Sequence, residues 1–244
     1  MEGTEAMIAV VSSTVAPSAL PTHDGLRTTL SPEKRLEQTK ATVASLVAFG
    51  ARRVLVADNS PGSWLAERPG QLGPAEVIHL RHPVFGNKGV GEQWLLLAVA
   101  DLLPEDEPII KISGRYLLNK SSELRIEGDD DIAGKIYPEG RTHTLSTRAY
   151  LLRNKAVALR FWGRALDEVY AQPARIMGAR SLIRIVGNSL RPERDGYAYS
   201  DPSTLSLEHA AYRAIRNLGL KLRAVGTLGV EGNYGSFTNQ AVSE

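Results

Sequence analysis

"MIAVV", residues 7–11, is an unbroken run of five apolar side chains near the start of this 244-residue chain. A strand with one solvated face alternates apolar and polar residues, so a continuous run indicates a strand buried on both faces. "VLVA" at residues 54–57 is a second run of this kind. Between them, Ser31-Pro32 is typical of a helix start and Gly50 of a helix end. The order strand, helix, strand predicts an α/β fold.

The same alternation continues along the first half of the chain. Residues 76–80 and 109–112 are further predicted strands, and a helix is predicted over about 89–103. Such a pattern predicts a mostly parallel central sheet flanked by helices, with binding sites at the carboxyl ends of the strands. The second half is less regular: it predicts strands within 128–137, 143–152, 181–186 and 220–225, helices over 154–170 and 201–218, and a loop at 187–203.

Composition and charge exclude several classes of function. The absence of cysteine excludes disulfides, thiolate metal sites and a cysteine nucleophile. A formal net charge of only +2 gives no indication of a nucleic-acid partner. Glu2 and Glu5 precede a short apolar run, which is unlike a signal peptide, and no stretch reaches the roughly 20 apolar residues of a membrane span. We therefore expect a cytoplasmic protein without a transmembrane segment.

Polar residues follow the first two strands, and the common nucleotide-binding and hydrolase motifs are missing from the sequence. G-x-G-x-x-G, G-x-x-x-x-G-K-[ST] and G-x-S-x-G are all absent. Ser12-Ser13-Thr14 ends the first strand and Asp58-Asn59-Ser60 ends the second. In isolation, the second of these stretches is ordinary turn chemistry.

Four segments together resemble short GT-A-type glycosyltransferases of bacterial surface-polysaccharide biosynthesis. They are "IAVVSST", "SPEKRLEQTKATVASL" before "VLVADNS", "GNKGVGEQWLLLAVADLL" and "PIIKISGRY". The resemblance covers most of the chain, is strongest over residues 7–118 and depends on the order and spacing of the segments. It implies a single GT-A-like, Rossmann-like domain, with a nucleotide-sugar-binding half at 1–118 and an acceptor and catalytic half at 119–244.

The resemblance also implies which residues hold the donor. Ser12, Ser13, Asp58 and Asn59 match the positions that hold the nucleotide at the strand ends. Lys88 lies at a predicted helix start, where backbone amides and the positive helix end favour an anion. A lysine exposed at a helix start without a ligand is the ordinary alternative.

Ser113-Gly114-Arg115 stands where such enzymes usually carry Asp-x-Asp, which holds a divalent ion on the diphosphate. This departure puts the metal in doubt, so we expect no metal site and no Mn²⁺ or Mg²⁺ cofactor. Arg115 can donate two parallel hydrogen bonds to phosphate oxygens, aided by Lys88 or Lys111. Gly114 would let the backbone approach closely, and Ser113 would bind a phosphate or sugar hydroxyl. A structural ion pair is the alternative for Arg115.

Glu208 is the candidate catalytic base. An inverting transferase needs a carboxylate to take the proton of the acceptor hydroxyl, and the resemblance implies one near the start of a late helix. Glu208 lies beside the apolar stripe of "DPSTLSLEHAAYRAI" and could equally be a solvated helix glutamate. The acidic cluster 129–131 is interpreted as a turn. Arg191, Arg194 and Tyr199, in the predicted loop, are candidates to close over the donor.

The expected function is transfer of a sugar from a nucleotide-sugar donor to a hydroxyl of a glycan or lipid-linked glycan. This is compatible with peripheral membrane contact. Two alternatives stay open. One is a sugar nucleotidyltransferase, although no glycine-rich loop follows the first strand. The other is a non-catalytic protein that binds nucleotide sugars or glycans on the same scaffold, which the missing Asp-x-Asp favours.

Overall fold

The computed structural model of the chain describes residues 7–17, 30–60, 64–65, 67–68, 70–81, 85, 87–139, 142–171, 205–233 and 241–244. The strand predicted at 181–186 and the loop predicted at 187–203 lie outside these ranges, as do Arg191, Arg194 and Tyr199.

The described chain contains four α-helices and twelve strands. The helices are α1 (Pro32–Phe49), α2 (Lys88–Val99), α3 (Lys155–Tyr170) and α4 (Leu207–Leu218), and a 3₁₀ turn at Ala100–Leu102 follows α2. The strands are β1 (Met7–Ser13), β2 (Ala51–Asp58), β3 (Glu76–His79), β4 (Ile109–Ser113), β5 (Tyr116–Leu118), β6 (Ile132–Gly134), β7 (Ile136–Glu139), β8 (Thr142–Leu145), β9 (Ala149–Leu152), β10 (Leu222–Ala224), β11 (Val230–Asn233) and β12 (Ala241–Ser243).

A seven-stranded sheet in the order β10-β6-β9-β4-β1-β2-β3 forms the centre of the described fold. β4, β1, β2 and β3 are parallel to one another, as are β10 and β6, whereas β9 runs antiparallel to both of its neighbours. This confirms the predicted α/β class with a mostly parallel sheet. Strands from both halves of the chain share this sheet.

Side chains of β1 alternate between two hydrophobic layers. Ile8 and Val10 pack in the layer that contains α2, α3 and α4. Ala9 and Val11 pack in the opposite layer, against α1. All four side chains are fully buried, and burial of each larger one contributes about 1.5–3 kcal/mol. The sheet is therefore covered on both faces, as the unbroken apolar run predicts.

The ends of α1 agree with their sequence signals. The Ser31 hydroxyl accepts a hydrogen bond from the Lys34 amide, which satisfies one of the free amides of the first turn. Gly50 ends the helix at φ 110°, a left-handed conformation that glycine adopts without steric cost. Within the described residues, no helix combines the length and apolar character that crossing a membrane requires.

Two sequence predictions need correction. The segment 143–152 is not one strand, because the chain bends at Thr147 and Arg148, so that β8 pairs with β7 and β9 enters the central sheet. The last helix begins at Leu207 and not at 201, because the Ser206 hydroxyl accepts a hydrogen bond from the His209 amide and caps it there.

The acidic cluster forms a turn before β6, as predicted. The Asp131 carboxylate accepts a hydrogen bond from the Lys221 amide at 2.9 Å, and Asp129, which is largely exposed, pairs with the Lys221 ammonium. These carboxylates therefore fix the start of the sheet's edge strand β10.

Candidate active site

The carboxyl ends of β1, β2 and β4 are level, which brings their polar residues together. Ser12 of β1 lies opposite Ser113 of β4, and Ser13 lies opposite Asp58 of β2. Parallel strands that end together leave a crevice at that edge, where α/β proteins bind ligands.

Two adjoining spaces open at this edge. The first, here called the strand-end cavity, has a volume of about 160 Å³. The second, the α4 cleft, is larger, with about 930 Å³. Seven of the eight predicted donor-binding residues line the strand-end cavity: Ser12, Ser13, Asn59, Lys88, Ser113, Gly114 and Arg115.

Asp58 is the eighth, and the structure does not place it in the cavity wall. Its fully buried carboxylate accepts hydrogen bonds from the Val15 amide at 3.0 Å and the Ser60 hydroxyl at 2.9 Å. These bonds hold the chain after β1 against the turn after β2. Because its carboxylate is committed to the protein, we assign Asp58 to ordering the wall and not to contacting the nucleoside.

Gly114 lets the turn after β4 lie directly against the end of β1. Its amide donates to the Ser12 carbonyl at 2.8 Å, and its carbonyl accepts from the Thr39 hydroxyl at 2.9 Å. A Cβ at this position would lie 3.1 Å from Val11 Cγ1 and 3.2 Å from Ser13 Cβ, which is too close for comfortable packing. The small residue thereby places Arg115 at the cavity.

Two guanidinium groups, those of Arg35 and Arg115, line the strand-end cavity. Arg35 comes from α1, where its Nε donates to the Thr14 carbonyl at 2.6 Å. The Nε of Arg115 is buried, and none of the described residues accepts a hydrogen bond from it. The predicted site did not include Arg35, because an arginine one turn into an amphipathic helix carries no signal of a site.

The two cations repel each other. Burial, and next the positive charge of Arg115, lower the pKa of Arg35 to about 10, although the negative charge of Asp58 opposes this. An anion bound between the guanidinium groups would remove the repulsion and provide acceptors for both. The cavity is therefore suited to a group that carries several negatively charged oxygens.

Glu92, a residue of the cavity wall, forms an ion pair with the buried Lys111. Lys111 is fully buried and also donates to the Thr147 carbonyl at 2.5 Å. Its charge is thus committed to the protein, so the predicted help from Lys111 in phosphate binding does not fit the structure. The predicted site also did not include Glu92. The available signal was Lys111 itself, since a cation in an otherwise apolar strand needs a partner.

The carboxylate of Glu92 is held in its charged form. Burial opposes the charge, but the Lys111 ammonium, hydrogen bonds from Lys111 and Ser12, and the charge of Arg115 outweigh it. Together they lower the pKa of Glu92 below its ordinary value.

The start of α2 completes the cavity. The Asn87 side chain caps this helix by accepting from the Gly89 amide at 2.8 Å, and Lys88 is the first helical residue. The positive end of α2 and the Lys88 ammonium add to the attraction for an anion.

The α4 cleft contains Glu208, the predicted base. Glu208 is exposed at the start of α4, and its Oε1 accepts a hydrogen bond from the Thr147 hydroxyl at 3.1 Å. Close packing brings α4 beside α2, since a Cβ on Gly89 would lie only 2.6 Å from Leu207 Cβ. Lys88, Arg115 and Glu208 consequently line one cleft. No group of three or more His, Asp or Glu side chains among the described residues is arranged to hold a metal ion.

Neither a protein-family model nor a curated protein sequence matches this chain. Among solved structures, an inositol-1-phosphate CTP transferase from T. maritima gives a TM-score of 0.49 at 11% identity, over 91% of this chain and 85% of that one. A nucleoside-diphosphate-sugar pyrophosphorylase from Vibrio cholerae RC9 gives 0.46 at 13%, over 92% and 94%. The galactosyltransferase LgtC, in complex with donor and acceptor sugar analogues, gives 0.41 at 9%, over 92% and 86%. No function follows from likenesses at such low scores and identities.

Proposed function

We propose that this protein is a glycosyltransferase that moves a sugar from a nucleotide-sugar donor to a hydroxyl of a glycan or lipid-linked glycan. The observation that carries the proposal is the pair of guanidinium groups, Arg35 and Arg115, on one cavity at the ends of β1 and β4. A diphosphate is the part of a nucleotide sugar that such a pair suits, because each guanidinium can bind phosphate oxygens through two parallel hydrogen bonds.

The proposed donor lies along the strand ends. Its diphosphate contacts Arg35, Arg115 and Lys88, with the start of α2 nearby, and its nucleoside lies near Ser13 and Asn59. Its sugar points into the α4 cleft, which shares Asn87, Lys88, Glu92, Ser113 and Arg115 with the cavity.

Glu208 is the proposed base of the transfer step. The acceptor oxygen attacks the anomeric carbon while its proton passes to the Glu208 carboxylate. The bond from the anomeric carbon to the diphosphate oxygen breaks, and its electron pair stays on that oxygen. The arginines stabilise the added negative charge on the leaving group. A direct displacement of this kind inverts the configuration at the anomeric carbon.

The transfer is expected to proceed at an unchanged rate in excess EDTA. Fixed cations stabilise the leaving diphosphate in this account, so no divalent ion is required. The measurement is product formation from a sugar nucleotide with and without the chelator. Loss of transfer in EDTA, restored by added Mn²⁺ or Mg²⁺, would contradict the proposal.

A thermal-shift screen of UDP-, GDP-, dTDP- and CMP-sugars tests the proposed function, followed by transfer assays with each ligand that binds. A ligand at a hundred times its dissociation constant adds about 2.7 kcal/mol to the free energy of unfolding, so binding is readily detected. Release of pyrophosphate from a nucleoside triphosphate and a sugar 1-phosphate would instead establish a nucleotidyltransferase. Binding without turnover of any donor would favour a non-catalytic protein.

A further inference from the structure

Glu92 lies where the strand-end cavity and the α4 cleft meet. It is one of five residues that line both spaces, and it is the acidic member of that set. In the proposed reaction, the sugar–phosphate bond of the donor crosses this junction. The Glu92 carboxylate is thus placed beside the sugar, which is the part of the donor that follows the diphosphate.

The two carboxylate oxygens of Glu92 differ in their hydrogen bonds with the described residues. Oε1 accepts from the Ser12 hydroxyl at 2.6 Å, pairs with the Lys111 ammonium and lies 3.4 Å from the Ser113 hydroxyl. In the described part of the chain, no side-chain hydrogen bond involves Oε2. The side chain of Glu92 remains 19% exposed, so a ligand can reach it. An ionised carboxylate only accepts hydrogen bonds, and its ligand must therefore supply a donor.

The charges around the junction orient a ligand that has an anionic end and a hydroxylated end. Arg115 and Lys88 attract the diphosphate, whereas Glu92 repels it. A hydroxyl group can donate a hydrogen bond to Oε2 of Glu92, and a second carboxylate in its place would be repelled.

We propose that Glu92 accepts a hydrogen bond from a hydroxyl of the transferred sugar and selects neutral sugars over acidic ones. This inference rests on the proposed function and adds a substrate class to it. Binding, and not proton abstraction, is the role that suits this carboxylate. The ion pair and hydrogen bonds that hold Glu92 in its charged form make it a weak proton acceptor.

Calorimetry with matched ligands tests the proposal. The probes are UDP, UDP-glucose and UDP-glucuronate, together with GDP, GDP-mannose and GDP-mannuronate. Wild-type protein is expected to bind the neutral conjugate at least about tenfold more tightly than the acidic one, a difference of about 1.4 kcal/mol. In the Glu92→Gln variant this preference should shrink by about tenfold, while the free nucleoside diphosphate binds as tightly as before or more tightly.

Retained affinity for the free nucleoside diphosphate separates a loss of selectivity from structural damage, which would weaken the binding of all the ligands together. The Glu92→Gln/Lys111→Met double variant leaves no buried ammonium unpaired and should show the same loss of selectivity. Glu105→Gln removes an exposed partner of Lys155 and should leave selectivity unchanged.

An unchanged preference in both Glu92 variants, or an equal loss of affinity for every ligand, would overturn the inference while leaving the proposed function standing. Failure of wild-type protein to bind any nucleoside diphosphate would refute the proposed function, and this inference with it.

Discussion

Replacing Arg115 with methionine is expected to lower the rate of sugar transfer about 100- to 1,000-fold, the usual effect of removing one donor that stabilises charge in a transition state. Methionine retains an unbranched apolar stem beside Tyr116 but has no cation for the leaving diphosphate. The Nε of Arg115 has no partner among the described residues, so its removal breaks no hydrogen bond of that atom. Thermal stability should therefore change little. The measurement is kcat/KM for the donor, with a melting curve of the same sample.

Two further variants test whether the effect of Arg115→Met comes from the loss of this particular guanidinium. Arg115→Lys keeps the charge but loses the planar fork that binds two oxygens, so an intermediate rate is expected. Arg125→Met removes an exposed arginine that pairs with Glu127 and should leave the rate within about twofold of wild type, since such surface pairs contribute little. Transfer by Arg115→Met at the wild-type rate would remove this guanidinium from the mechanism.

The Glu208→Gln variant is expected to bind the donor normally and to transfer sugar about 100- to 10,000-fold more slowly, the range for loss of a general base. Glutamine has nearly the same shape and can still accept a hydrogen bond from the Thr147 hydroxyl. It cannot take a proton from the acceptor. Steady-state kinetics measures the rate, and calorimetry with the nucleotide sugar measures donor affinity.

Glu37→Gln is the matched control for Glu208. Glu37 is an exposed glutamate on α1 that pairs with Lys40, and its replacement should change neither quantity. A Glu208→Gln variant with wild-type transfer would exclude Glu208 as the base. A variant that loses donor affinity would instead place Glu208 on the donor.

The elements that could be predicted from the sequence are those marked by residues within the element itself or at its ends. The apolar runs of β1 and β2, the Ser31 cap and Gly50 each describe a single element, and the structure has each of them. The start of α4 could not be predicted in the same way. Asp201 and Ser206 are both of residue types that cap helices, so the sequence offers two possible helix starts. The helix begins at Leu207, which packs against Gly89, and this contact cannot be read from the sequence.

Some residues of the candidate site could likewise be placed from the sequence, and others could not. Ser12, Ser113 and Arg115 could be placed together because the carboxyl ends of parallel strands converge. The environment of Asp58 could not be predicted, because a polar residue at a strand end can face either a ligand or the next loop. Arg35 and Glu92 reach the site because their helices pack on the sheet. A pattern of polar residues at strand ends gives no information about that packing.

A crystal structure with a bound nucleoside diphosphate is the most direct test of the claim that Arg35 and Arg115 together hold the diphosphate. We expect phosphate oxygens within about 3 Å of both guanidinium groups, at the ends of β1 and β4, without an intervening metal ion. A diphosphate bound elsewhere, or bound through a divalent ion with Arg115 out of contact, would contradict it.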